Sequence, residues 1–114
     1  MTRDPAVLLQ HVLLCLDRIA EYADGGEAEF LSDTKTQDAI IRNLEIIGQA
    51  VRDYDPESLS AVAPDIPWKR IAGLRNVLAH QYLGVDLHLV WNIVRYELPR
   101  LRAAVSTLLA RGGT

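Results

Sequence analysis

A chain of 114 residues with 49% hydrophobic and 24% charged residues is sized and composed for one globular domain with a single core. One cysteine, Cys15, excludes an intrachain disulfide and a cysteine-based zinc cage. The longest apolar run is about five residues, against the ~18 that a membrane span needs.

The N-terminus, Met1 to Pro5, lacks the ending of a signal peptide, and together with the single cysteine this favours a reducing, cytoplasmic location and no membrane partner. The net charge of −3 argues against a generally basic nucleic-acid binder, yet it hides an asymmetry. Residues 1–66 carry 13 acids and 5 bases, whereas residues 67–114 carry 2 acids and 7 bases. A phosphate-bearing partner would therefore meet the second half, unless the two halves pair their charges in the fold.

In chain order, the first segment runs from Asp4 to Tyr22. Val7, Leu8, Val12, Cys15, Leu16 and Ile19 recur at helical spacing, with Asp4 as cap and Pro5 in the first turn. Cys15 falls on the apolar row as an inert core residue. Asp24-Gly25-Gly26 breaks this helix, and a short acidic stretch follows from Glu27 to Leu31. Ser32 or Asp33 caps a second helix over residues 34–54. Its two apolar rows, Ile40, Leu44, Ile47, Val51 and Ala39, Ile46, Ala50, fit a bundle core plus a subunit contact. Asp55-Pro56 ends it, and residues 57–62 suit a short helical turn. A third helix is predicted from Pro67-Trp68 to Tyr82, stopping at Gly84. Asp86 caps a fourth, 87–110, bent at Pro99. The expected architecture is an all-α antiparallel bundle of four long helices plus short helical turns, one domain over residues 1–114.

One polar cluster stands out. Residues 73–84 read Gly-Leu-Arg-Asn-Val-Leu-Ala-His-Gln-Tyr-Leu-Gly. At 100° per residue, Arg75 and Tyr82 fall within about 60° of each other, and Asn76 and His80 form the neighbouring stripe. Leu74, Val77 and Leu78 then face the core. A guanidinium matches phosphate oxygens with its planar fork, and an imidazole gives or takes a proton near neutrality. Together they suit cleavage of RNA without a metal: His80 moves a proton and Arg75 stabilises the charge that builds on phosphorus oxygens. Neither group is a good metal cage, and no acid or histidine lies at ligand spacing nearby. The same residues also admit a structural reading, with His80 satisfied by helix-terminal carbonyls and Arg75 paired to an acid.

Arg75-x-x-x-x-His80-x-Tyr82 resembles the motif of the HEPN superfamily, in the form of the HepT-like ribonuclease toxins paired with a minimal nucleotidyltransferase antitoxin. The resemblance extends to residues 38–50, to Ile66 through Asn76, and to Gly84-Val85-Asp86 with Val90-Trp91. It implies a HEPN-like, dimeric all-α fold in which two motifs meet in a composite cleft. It implies a metal-independent endoribonuclease without cofactor that inhibits growth, and RNA as substrate. Arg75 and His80 match the catalytic pair and Asn76 its polar companion. Tyr82 matches the tyrosine that the partner nucleotidyltransferase modifies with AMP, in an assembly that extends to a larger hetero-oligomer. Gln49 departs from the pattern, because the family usually has glutamate after the glycine. A rival reading is a non-catalytic module that binds a nucleotide or phosphate and partners a nucleotidyltransferase.

Lys69 and Arg70, one turn ahead of the motif, either extend a phosphate track or merely solvate the helix face. Asp38 is an acid that either reaches the site from the second helix or stays on the surface. Trp68 and Trp91 read as packing residues, and His11 and His88 as surface or capping residues.

Overall fold

The computed structural model describes residues 4–79, 84 and 86–111, and these are all-helical, with no strand among them. Helix α1, Pro5–Tyr22, starts where the Asp4 carboxylate accepts from the Ala6 N–H at 3.0 Å. Gly26, at φ +91°, makes the sharp entry into α2, Glu27–Ser32. The acidic stretch is thus a helix, and its reason is tertiary. Phe30 is fully buried with its ring centroid 5.4 Å from that of Trp91.

Asp33, rather than Ser32, caps α3, Thr34–Tyr54. Its carboxylate accepts from the Thr36 hydroxyl at 2.8 Å and the Lys35 N–H at 3.1 Å. These bonds, the hydroxyl first, hold its pKa below the usual carboxylate range. Asp55, at φ +107°, turns the chain and caps α4, Pro56–Val62, through the Glu57 N–H and the Ser58 hydroxyl.

Helix α3 packs against α1 on one side and against the motif segment on the other. Its row Ile40, Leu44, Ile47 and Val51 is buried against Leu9, Val12, Leu16 and Ile19 of α1. Each such side chain contributes about 1.5–3 kcal/mol on burial. Cys15 joins this core, where burial pushes its thiol pKa up.

The segment expected as one helix over 67–82 is broken. Helix α5 spans Trp68–Ala72 and α6 spans Leu74–Ala79, with a turn at Gly73. The Gly73 N–H is shared between the Lys69 and Arg70 carbonyls, both at 3.1 Å, which tightens the last turn of α5. Trp68 anchors this segment: it is buried, and its Nε1 donates to the Ala63 carbonyl at 2.8 Å. Leu78 is buried and Leu74 half-buried, but Val77, expected to face the core, is 48% exposed.

The predicted helix 87–110 comprises α7, Leu87–Asn92, a π turn, Ile93–Glu97, and α8, Leu98–Ala110. Asp86 caps it by accepting from the Leu89 N–H at 3.1 Å. Pro99 lies in the first turn of α8, where its missing N–H costs nothing, and the wider π turn just before it absorbs the mismatch that a continuous helix would suffer. Val90, Leu98, Leu101 and Val105 are buried in the core. Arg102 of α8 pairs with Asp17 of α1 at 2.8 Å, so part of the charge asymmetry is met inside the fold.

Candidate functional site

Arg75 sits in the first turn of α6 and is exposed, with Asn76 exposed beside it. Its placement follows from a close contact behind it. Gly48 of α3 has no side chain, and a Cβ there would lie 2.7 Å from the Ile71 carbonyl oxygen and 3.4 Å from the Arg75 backbone nitrogen. The α5–α6 junction therefore lies directly on the α3 backbone, and Arg75 projects beside the α3 surface.

That surface is the wall of an open cleft of about 360 Å³. Arg42, Glu45, Gln49 and Asp53, spaced three or four apart on α3, form one stripe along it. Ile46 and Ala50 of α3 and Leu8 of α1 supply its apolar part, and His11 of α1 completes the lining with Arg75. The charges are two arginines, two acids and one histidine. Glu45 lies 3.7 Å from the Arg42 guanidinium, whose side chain is 70% exposed. Such an i,i+3 surface pair is worth a few tenths of a kcal/mol and yields readily to a better anion. Asp53 accepts from Gln49 Nε2 at 2.9 Å. Among the described residues Arg75 forms no ion pair, so its fork remains open toward the cleft. No group of three His, Cys, Asp or Glu side chains suited to a metal ion occurs among the described residues.

The other expected site residues are distributed as follows. Lys69 and Arg70 are both exposed on α5. Arg70 is bonded to Glu97 of the π turn, which joins the motif segment to the C-terminal helices and engages the guanidinium. His80 and Tyr82 lie outside the described residues. Asp38 is exposed on α3 and is not among the residues lining the cleft. His88 approaches Glu27 at 3.9 Å, away from the cleft.

Sequence reasoning missed His11 and the α3 stripe as neighbours of Arg75. The stripe's 3–4 spacing was readable, but such a pattern is usually a solvated helix face. Only the packing of α1 and α6 on the two flanks of α3 turns it into a wall.

No helix among the described residues is long and apolar enough to cross a membrane. Comparison with known proteins gives a consistent result. A family model described as "Ribonuclease HepT-like" matches residues 12–108. A "Probable ribonuclease HepT" of Thermococcus cleftensis is 41% identical over 70% of this chain and 72% of that protein. A "Putative RNase" of Caldanaerobacter subterraneus subsp. tengcongensis is 34% identical over 96% of this chain and 97% of that protein. A "Gamma-glutamylcyclotransferase and putative RNase" of Methanocaldococcus jannaschii is 36% identical over 96% of this chain, which spans only 49% of that relative's length. No solved structure matches the chain. Residues 12–108 include Arg75, the wall of α3 and most of the helices that hold them, though not Leu8 and His11 of α1, and on this match the chain belongs to the ribonuclease HepT-like family.

Proposed function

We propose that this chain is the toxin of a toxin–antitoxin pair, an endoribonuclease that cuts RNA without a metal. The observation that carries this reading is the exposed Arg75 guanidinium, in no ion pair among the described residues and opening onto a cleft, in a chain of a ribonuclease family. In the proposed reaction His80 takes the proton of a ribose 2′-hydroxyl. The 2′-oxygen attacks the adjacent phosphorus and the P–O5′ bond breaks. Products are a 2′,3′-cyclic phosphate and a 5′-hydroxyl, whose oxygen takes its proton from the protonated His80 by way of water. Arg75 donates two N–H bonds to the non-bridging oxygens as charge builds there, and Asn76 supports it. Lys69 extends the contact to a flanking phosphate, and Arg70 joins it where Glu97 releases it.

The site is proposed to be shared between two copies of the chain. This rests on the resemblance of Arg75-x-x-x-x-His80-x-Tyr82 to the HEPN motif, which implies a composite cleft between two copies. Silencing follows from a partner nucleotidyltransferase that transfers AMP from ATP to the Tyr82 phenol oxygen, with pyrophosphate leaving. The new phosphodiester brings a negative charge and a nucleoside to the motif, which occupies Arg75 and fills the cleft.

The test incubates purified chain with RNA in the presence of a chelator and analyses the ends. Cyclic phosphate ends that vanish in Arg75→Ala and His80→Ala, with helical content unchanged, are the expected result. Full cleavage by both variants overturns the catalytic assignment. Intact RNA with tight nucleotide binding would instead mark a non-catalytic binding module.

A further inference from the structure

His11 is exposed on α1 and, among the described residues, makes no hydrogen bond or ion pair. Among the described residues nothing engages its imidazole. Yet it lines the same cleft as Arg75, which belongs to a segment more than sixty residues later. The same lining includes the apolar side chains Leu8, Ile46 and Ala50. A flat ring, an apolar patch and a guanidinium fork together match the parts of one nucleotide: base, sugar face and phosphate. The volume of about 360 Å³ falls in the roughly 300–1,000 Å³ range of small-ligand sites and leaves room for one nucleotide.

The acids do not spoil this fit. Glu45 is the partner of Arg42 and Asp53 is held by Gln49, so each is engaged along α3. His11 is the ring-bearing side chain of the lining, and it offers both a stacking face and a hydrogen-bonding edge.

We infer that His11 is a substrate-contacting residue that holds the base of the nucleotide whose phosphate Arg75 binds, and so sets sequence preference at that position. This rests on the ribonuclease reading above. Arg75 acts on the phosphate, which is common to all sequences; His11 acts on the base, which is not.

The test is steady-state cleavage of short single-stranded RNAs that differ in one nucleotide at a time, by wild type, His11→Ala, His11→Phe and Arg75→Ala. His11→Ala should raise KM about tenfold, the scale of losing one base–aromatic stack, and flatten the preference at one position. The loss falls on KM rather than kcat. His11→Phe, which keeps a ring, should recover most of the KM. Matching thermal melts for the His11 variants exclude a folding effect, as expected for an exposed side chain. Wild-type KM and wild-type preference in His11→Ala, with Arg75→Ala inactive, overturns the role of His11 and leaves the ribonuclease reading intact. A wild-type chain that cuts none of the RNAs overturns both.

Discussion

Gly48→Ala tests the contact that places Arg75. In an exposed helix the change gains about 1 kcal/mol of helix propensity. Here the added Cβ would stand 2.7 Å from the Ile71 carbonyl oxygen, closer than the 3.0 Å below which real Cβ atoms essentially never approach a heavy atom. The obstacle is backbone, so relief requires α5 and α6 to move away from α3 by several tenths of an ångström. Overpacking of this kind costs about 1–3 kcal/mol. Set against the propensity gain, the net loss is about 1 kcal/mol, or about 4 °C in Tm for a domain of this size. Gly73→Ala is the internal control. Its Cβ would meet nothing nearer than the Arg70 carbonyl oxygen at 3.5 Å, and φ is −84°, open to any residue. That change should raise Tm by a few degrees. Circular dichroism melts of the two variants decide the matter. Gly48→Ala should also lower RNA cleavage, because the displaced backbone includes the Arg75 nitrogen, 3.4 Å from the new carbon. A Gly48→Ala protein that melts at or above wild type refutes the reasoning, since the close approach would then exert no force.

Gln49→Glu replaces the donor to Asp53 with a second carboxylate at i,i+4 and adds one negative charge to the cleft. RNA binding measured by fluorescence anisotropy should weaken several-fold at low salt, with the gap to wild type narrowing as salt rises. Asp33→Asn tests the depressed carboxyl at the start of α3. Because the folded pKa lies below the unfolded one, the carboxylate stabilises above about pH 3.9 and that contribution disappears as pH falls further. Wild type should therefore outmelt Asp33→Asn at pH 7, and the two should converge toward pH 2. Cys15, buried with its thiol pKa raised, should resist a thiol-reactive dye in the folded chain and react at once in denaturant. Rapid labelling of the folded chain would contradict its place in the core.

Caps and breakers made much of this fold readable. Asp4 before Pro5 and Asp86 before Leu87 each place a helix start correctly, and Asp33 was one of two candidates at the start of α3, because a cap is a local bond between near neighbours. The features that escaped depend on contacts distant in sequence. Glu27–Ser32 has too few residues to be helical alone, and Phe30 against Trp91 holds it. The π turn before Pro99 depends on how Leu98 and Leu101 seat in the core while the proline still needs a first-turn position. Val77 was placed inward with Leu74 and Leu78 by helical spacing alone; those two do pack on the core, and Val77 lies at the edge of their face, half exposed. In the site, Arg75 and Asn76 were legible as a polar pair, because their residue types already carry the chemistry. His11 was not, because nothing local to α1 distinguishes it from any exposed histidine.

These two kinds of residue set different constraints on the molecule. The cleft draws Leu8 and His11 from α1, its stripe from α3 and Arg75 from α6. Beside the packing of Leu74 and Leu78 on the core, two described contacts bear on where α6 stands relative to that stripe: the side-chain-free approach at Gly48, and the Arg70–Glu97 pair that joins α5 to the π turn. The first is backbone against backbone in the interior and cannot adjust without a shift of helices. The second joins partly exposed side chains, is screened by salt, and contributes little to stability. The interior contact therefore sets the distance between α6 and α3, while the ionic one limits only how far the outer end of α5 swings. It follows that substitutions at Gly48 should displace Arg75 and strain the fold at once. Those at Glu97 should spare the fold and leave Arg70 available to a phosphate.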